Sequence, residues 1–150
     1  MKILLGVEGS PFSEAAVQAL GSHVRPEGAD VLVLQVVDPI VYSVPPMMAA
    51  DYAPEMAERL KQQIDHAKQT VKHAVESLKS KGFRAEGRVV ESDVRAGILD
   101  CATEYMAELI VLGSHGRRGL KKFLLGSIAE SVARHARCSV LIVRTTGEHE

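Results

Sequence analysis

Four short runs of branched apolar residues stand out along the chain: 2–7 (KILLGV), 30–37 (DVLVLQVV), 108–112 (ELIVL) and 139–143 (SVLIV). Near-continuous apolarity over so few residues suits strands covered on both faces, as in a parallel sheet. Residues 83–89 (FRAEGRV) follow another rule. There Phe83, Ala85, Gly87 and Val89 alternate with Arg84, Glu86 and Arg88. A period of two marks a strand with one face in water, placed at a sheet edge.

Between these runs the period lengthens. Met56, Leu60, Ile64, Ala67, Val71, Val75 and Leu78 recur at three and four residues, which predicts one long helix with a single apolar stripe. Lys81-Gly82 then supplies a C-cap. Ser10-Pro11 reads as an N-cap and first-turn proline for a helix through Ala16, Val17 and Leu20. Residues 94–106 place Ile98, Leu99, Ala102 and Met106 at helical spacing, and Ser127-Ile128-Ala129-Glu130 has the form of a capping box for a last helix through Val132 and Ala136. Residues 39–53 form the one long irregular segment, too apolar for a solvated linker, and read as a lid, a partner contact or a packed loop.

The order β-α-β-α-β-α-β-α-β predicts an α/β fold: a doubly wound, five-stranded parallel sheet with helices on both faces, forming one domain over residues 1–150. Open sheets of this kind bind ligands beyond the carboxyl ends of the strands, where strand order reverses. Glycine-bearing turns follow the first strand (GVEGS, 6–10) and the fourth (GSHGRRGLKKFLLGS, 113–127). The order 3-2-1-4-5 would set them facing each other across one crevice.

Composition narrows the function classes. A net charge of -1, from 18 basic and 19 acidic residues, gives no support for a nucleic-acid partner, so anion recognition has to be local. No stretch approaches the roughly 18 apolar residues that a membrane helix needs, and MKILLGVEGS is too brief an apolar run for a signal peptide. A cytoplasmic protein is expected, with no membrane partner. Cys101 and Cys138 form neither a disulfide framework nor a zinc set and read as small buried residues in a reducing compartment.

Local anion chemistry has one strong candidate. In GSHGRRGLKKFLLGS, Gly113, Gly116 and Gly126 enclose Arg117, Arg118, Lys121 and Lys122, and a helix begins at Ser127. Glycine permits positive φ and close backbone approach, and a helix start offers unpaired amides to phosphate. Physics alone places phosphate binding modestly ahead of a mobile basic surface loop. Neither GxxxxGK followed by Ser or Thr nor GxGxxG after the first strand is present. Catalytic signals are weaker. GVEGS is not G-x-S-x-G, and no paired histidine and acid can be identified. His115 reads as a solvated loop side chain, His66 and His73 as exposed helix positions, and Met47 and Met48 as loop packing or a contact surface.

The spacing G-x2-G-x9-G-(S/T), carried by Gly113, Gly116, Gly126 and Ser127, resembles that of the universal stress protein family. The opening MKILLGVEGSPFSEAAVQAL and closing IAESVARHARCSVLIVR resemble that family's ends, so the likeness spans essentially the whole chain. It implies a Rossmann-like domain in the family's ATP-binding branch, working as a nucleotide-dependent regulatory homodimer. Gly113 and Gly116 would approach ribose and phosphates, Gly126 and Ser127 would hold phosphate, and Leu112, Val36, Gly6 and Val7 would line the adenine pocket. Glu8, Arg117 and Ile128 complete the expected cofactor-binding set, with Mg2+ carried by the triphosphate and no protein metal site. Two positions depart from the family pattern: Glu8 replaces the usual Asp, and Ser139 replaces the usual Pro before the last strand, which the family pairs with its mate's. A stress-linked dimeric scaffold without nucleotide and a slow ATP hydrolase are the alternatives, and the sequence presents no convincing catalytic base.

Overall fold

A computed structural model of the chain describes residues 1–39, 45–115 and 124–145. The chain runs through β1 (Lys2–Gly6), α1 (Pro11–His23), β2 (Asp30–Val37), a 3-10 turn (Pro46–Met48), α2 (Ala49–Ser80), β3 (Arg84–Glu91), α3 (Val94–Tyr105), β4 (Leu109–Gly113), α4 (Ser127–His135) and β5 (Ser139–Val143). The sheet order is β3-β2-β1-β4-β5, with every neighbouring pair parallel. Strand order therefore reverses between β1 and β4, where Leu5 lies between Val33 and Val111.

Alternation along the strands sorts the core into two layers. Ile3, Leu5, Val31, Val33 and Val111 point to one face, packed by Ala16, Val17 and Leu20 of α1 and Val71, Ala74 and Leu78 of α2. Leu4, Leu32, Leu34, Ile110 and Leu112 point to the other, packed by Ile98, Cys101 and Ala102 of α3 and Val132 of α4. Two faces covered by helices explain why these strands read as unbroken apolar runs. The exception behaves as its alternation predicts: β3 lies at the edge, and Arg84 pairs with Asp30 at 2.7 Å and Arg88 with Glu104 at 3.3 Å.

Helix boundaries follow the caps at three of four helices. Ser10 Oγ accepts a hydrogen bond from Ser13 N at 3.2 Å, with Pro11 at the first helical position. Asp93 Oδ1 accepts one from Ala96 N at 3.0 Å. Lys81 ends α2, and Gly82 takes φ +90°, the left-handed turn that favours glycine.

Three expectations need correction. The capping box at Ser127 does not form: Gly126 is the N-cap, Ser127 is the first helical residue, and Glu130 pairs with Arg134 at 2.8 Å. The segment expected to be irregular over 39–53 is helical from Ala49, after the 3-10 turn. Those first turns of α2 are exposed all round, so they carry no apolar stripe by which sequence could find them, and Pro54 stands inside the helix. Met106 does not continue the stripe of α3; it caps the helix at φ 57° and is 68% exposed. Residues 40–44 lie outside the described residues.

Candidate functional site at the strand reversal

The carboxyl ends of β1 and β4 meet closely. Leu112 covers Gly6 so tightly that an added Cβ there would collide with its side chain. Beside it, a Cβ on Gly113 would lie 2.7 Å from the Phe12 carbonyl group. Phe12 also stacks obliquely on His115, ring centroids 5.2 Å apart. Ser114 N extends the ladder to Val143 O at 2.8 Å, while Ser114 O accepts from Gly126 N at 2.8 Å. That last bond brings the start of α4 against the end of β4, and a Cβ on Gly126 would meet Ser114 O at 2.9 Å. Gly6, Gly113 and Gly126 are thus demanded by packing between elements. Gly113 and Gly126 do not use the positive φ expected of a phosphate loop, since positive φ among the described glycines is confined to Gly9, Gly28 and Gly82.

The two strand-to-helix turns differ chemically. After β1, the amides of Glu8 and Gly9 donate to Ser13 Oγ at 3.3 and 3.2 Å, and that hydroxyl donates to Ser10 O at 3.1 Å. Ser10 Oγ in turn donates to the Glu8 carboxylate. Capped by Ser10 and opened by Pro11, which has no amide hydrogen, this turn has little to offer an anion. The start of α4 is the opposite case. Its N-cap is a glycine with no side-chain bond, and the first intrahelical bond runs from Glu130 N to Gly126 O at 2.9 Å. The amides of Ser127, Ile128 and Ala129 precede it, with Ser127 exposed, and form the anion-seeking end of a helix.

The remaining expected residues divide by location. Val36, the last residue but one of β2, packs on the α3 face beside Gly97, whereas the Val7 side chain is committed to the α1–α2 core layer. Glu8 and Val36 line a cavity of about 470 Å³ that reaches from the end of β2 to α2. Gly116 and Arg117, with Arg118, Lys121 and Lys122, lie outside the described residues. A second cavity, about 680 Å³, sits at the opposite end of the sheet between the C-terminal ends of α3 and α4, away from every expected site residue. Among the described residues no group of three His, Cys, Asp or Glu is placed to hold a metal ion, and no helix is long and apolar enough to cross a membrane.

Sequence reasoning overlooked Gln35. It is only 7% exposed, and no donor among the described residues reaches its Oε1. It lines the same cavity as Glu8 and Val36. One signal was present: Gln35 is the single polar residue inside DVLVLQVV after its first position.

Comparison with known proteins agrees with this geometry. The sequence model described as "Universal stress protein family" matches residues 1–144. Universal stress protein YxiE of Bacillus subtilis is 30% identical over 145 residues, covering 95% of this chain and 98% of its own length. Among solved structures, universal stress protein UspA from Lactobacillus plantarum superimposes with a TM-score of 0.80 at 25% identity, covering 96% of this chain and 97% of that one. A universal stress protein solved in complex with cAMP superimposes at 0.70, also 25% identical, covering 97% and 98%.

Proposed function

The chain belongs to the universal stress protein family, and from that premise we propose that it is an ATP-binding member acting as a cytoplasmic, nucleotide-dependent regulatory homodimer. The observation that carries the nucleotide is the uncapped start of α4, held against the end of β4 by the Gly126–Ser114 bond. Its amides of Ser127 and Ile128 suit a phosphate chain, which they would bind through hydrogen bonds and the helix dipole. The relative solved with cAMP supports a nucleotide as the ligand class. In this mode Leu112 and Gly113 form the floor of the crevice, and Glu8 and Val36 lie toward the base. Mg2+ would travel with the triphosphate, bound by phosphate oxygens. Of Gly116 and Arg117, the proposal takes only their place in the sequence pattern.

The dimer rests on a contrast between the two sheet edges. β3 is guarded by charged pairs, whereas β5 leaves Val140, Leu141, Ile142 and Val143 half-buried at an edge without a neighbour among the described residues. Bare apolar edges invite strand pairing, and a second copy of β5 is the partner that fits.

Two measurements test this reading. Protein purified without added nucleotide, denatured and run on anion exchange is expected to release ATP, and titration with Mg-ATP is expected to saturate in the micromolar range. Absence of both release and binding would leave the dimeric scaffold as the better account. Sedimentation equilibrium at micromolar concentration is expected to give twice the 16.2 kDa chain mass; a monomer would overturn the β5 pairing.

A further inference from the structure

Gln35 is in an unusual position for its chemistry. Its strand mates on the same face, Val31 and Val33, belong to the α1–α2 core. An apolar residue would continue that layer, and native proteins leave very few buried polar atoms unpaired. Yet Gln35 is buried with its carbonyl unpartnered among the described residues, at the wall of a cavity of about 470 Å³ whose lining includes Glu8, Val36, Asp38, Arg59 and His66. Two of those residues, Glu8 and Val36, belong to the crevice where the proposed nucleotide would place its base. The cavity is therefore an annex of that crevice on the β2 side, and its inner wall presents an amide.

A primary amide offers one acceptor and one donor side by side on one edge. The matching ligand edge is the 6-amino group of adenine with its adjacent ring nitrogen, which glutamine reads by a paired hydrogen bond. We infer that Gln35 is a specificity-determining residue of the nucleotide site, recognising the 6-amino edge of a 6-aminopurine base. Its Oε1 accepts from the amino group, and its Nε2 donates to the ring nitrogen. The Glu8 carboxylate, already accepting from Ser10 Oγ, adds negative potential that favours a donor-bearing base over one presenting a 6-oxo group. This inference rests on the nucleotide-binding reading above.

The test compares ATP with purine ribonucleoside 5′-triphosphate, which differs only by lacking the 6-amino group. Titrated as Mg2+ complexes into the full chain, ATP is expected to bind about five- to a hundredfold tighter, the discrimination typical of an amide–adenine pair. In Gln35→Met, which keeps side-chain length without the amide, the ratio is expected to fall toward one, because ATP loses both hydrogen bonds and the analogue only the one to its ring nitrogen. Gln35→Leu serves the same purpose if the methionine variant does not fold. Equal affinities in wild type, or a preference undiminished in a folded Gln35 variant, would overturn the inference while leaving nucleotide binding intact. If neither nucleotide binds wild-type protein, the proposed function falls and the inference with it.

Discussion

Replacing Ser127 by proline should remove one first-turn amide of α4, which the proposed mode directs at phosphate, while leaving the fold in place. Proline is tolerated at the first helical position because its missing amide has no intrahelical partner there and its φ near −65° already suits the helix. The residue before proline must be extended, and Gly126 is at φ −61°, ψ 148°. The fixed φ also narrows the unfolded ensemble, so stability should hold or rise by about 0.4–1 kcal/mol. Binding should respond differently. A hydrogen bond to a charged group contributes about 1.5–3 kcal/mol, equivalent to roughly ten- to more than a hundredfold in affinity. Calorimetric titration with Mg-ATP should therefore show Ser127→Pro weakened by at least about tenfold. Ser127→Ala keeps the amide and separates the hydroxyl's share from it. If Ser127→Pro melts like wild type and binds ATP within a factor of two, phosphate does not sit at the start of α4 and the binding mode is wrong.

Gly113→Ala tests the packing account of the crevice floor. The new Cβ would sit 2.7 Å from the Phe12 carbonyl group and must push α1 away from β4. Overpacking of this kind costs about 1–3 kcal/mol, a fall in Tm of several degrees for a chain of this size, roughly 2–4 °C per kcal/mol; an unchanged Tm would contradict it. Alkaline pH provides a second probe. Burial pushes the Cys101 thiol and the Tyr105 phenol above their ordinary values. The unfolded chain therefore loses these protons first as pH rises. The stability they contribute is complete below the unfolded values, about pH 8.5 for the thiol and about 10 for the phenol, and is lost as pH climbs through the higher folded values. Urea unfolding between pH 8 and 10.5 should show that decline, and a Cys101→Ala, Tyr105→Phe variant should flatten it; equal slopes would refute the cause.

The parts of this molecule that were legible in its sequence are those where one physical rule dominates. Double burial made β1, β2 and β4 continuous apolar runs, half burial made β3 alternate, and Ser10-Pro11 announced α1 by the chemistry of its cap. Strand β5 has the same apolar run although it lies half-buried at an edge. The illegible parts are those where two rules compete. Ser127 and Glu130 have the spacing of a capping box, but the chain already turns at Gly126, whose amide is engaged by Ser114 O. Pulling Ser127 inside the helix removes the cap and leaves its amide in the first turn. The first turns of α2 have no packed face, so no period could betray them.

The same competition explains why the glycine pattern alone misleads about mechanism. Gly113 and Gly126 look like residues that shape a flexible phosphate loop, yet each lacks a Cβ because a neighbouring backbone occupies the space. In the proposed binding mode their part is indirect: they let α4 begin against the end of β4, so that first-turn amides reach the reversal of strand order. The turn after β1, although equally glycine-bearing, spends its amides on Ser13 Oγ and its helix start on Ser10. The two glycine-bearing turns thus differ chemically: one spends its donors inside the fold, and in the proposed mode the other receives the anion. What separates them is the residue at the N-cap, a serine in one and a glycine in the other.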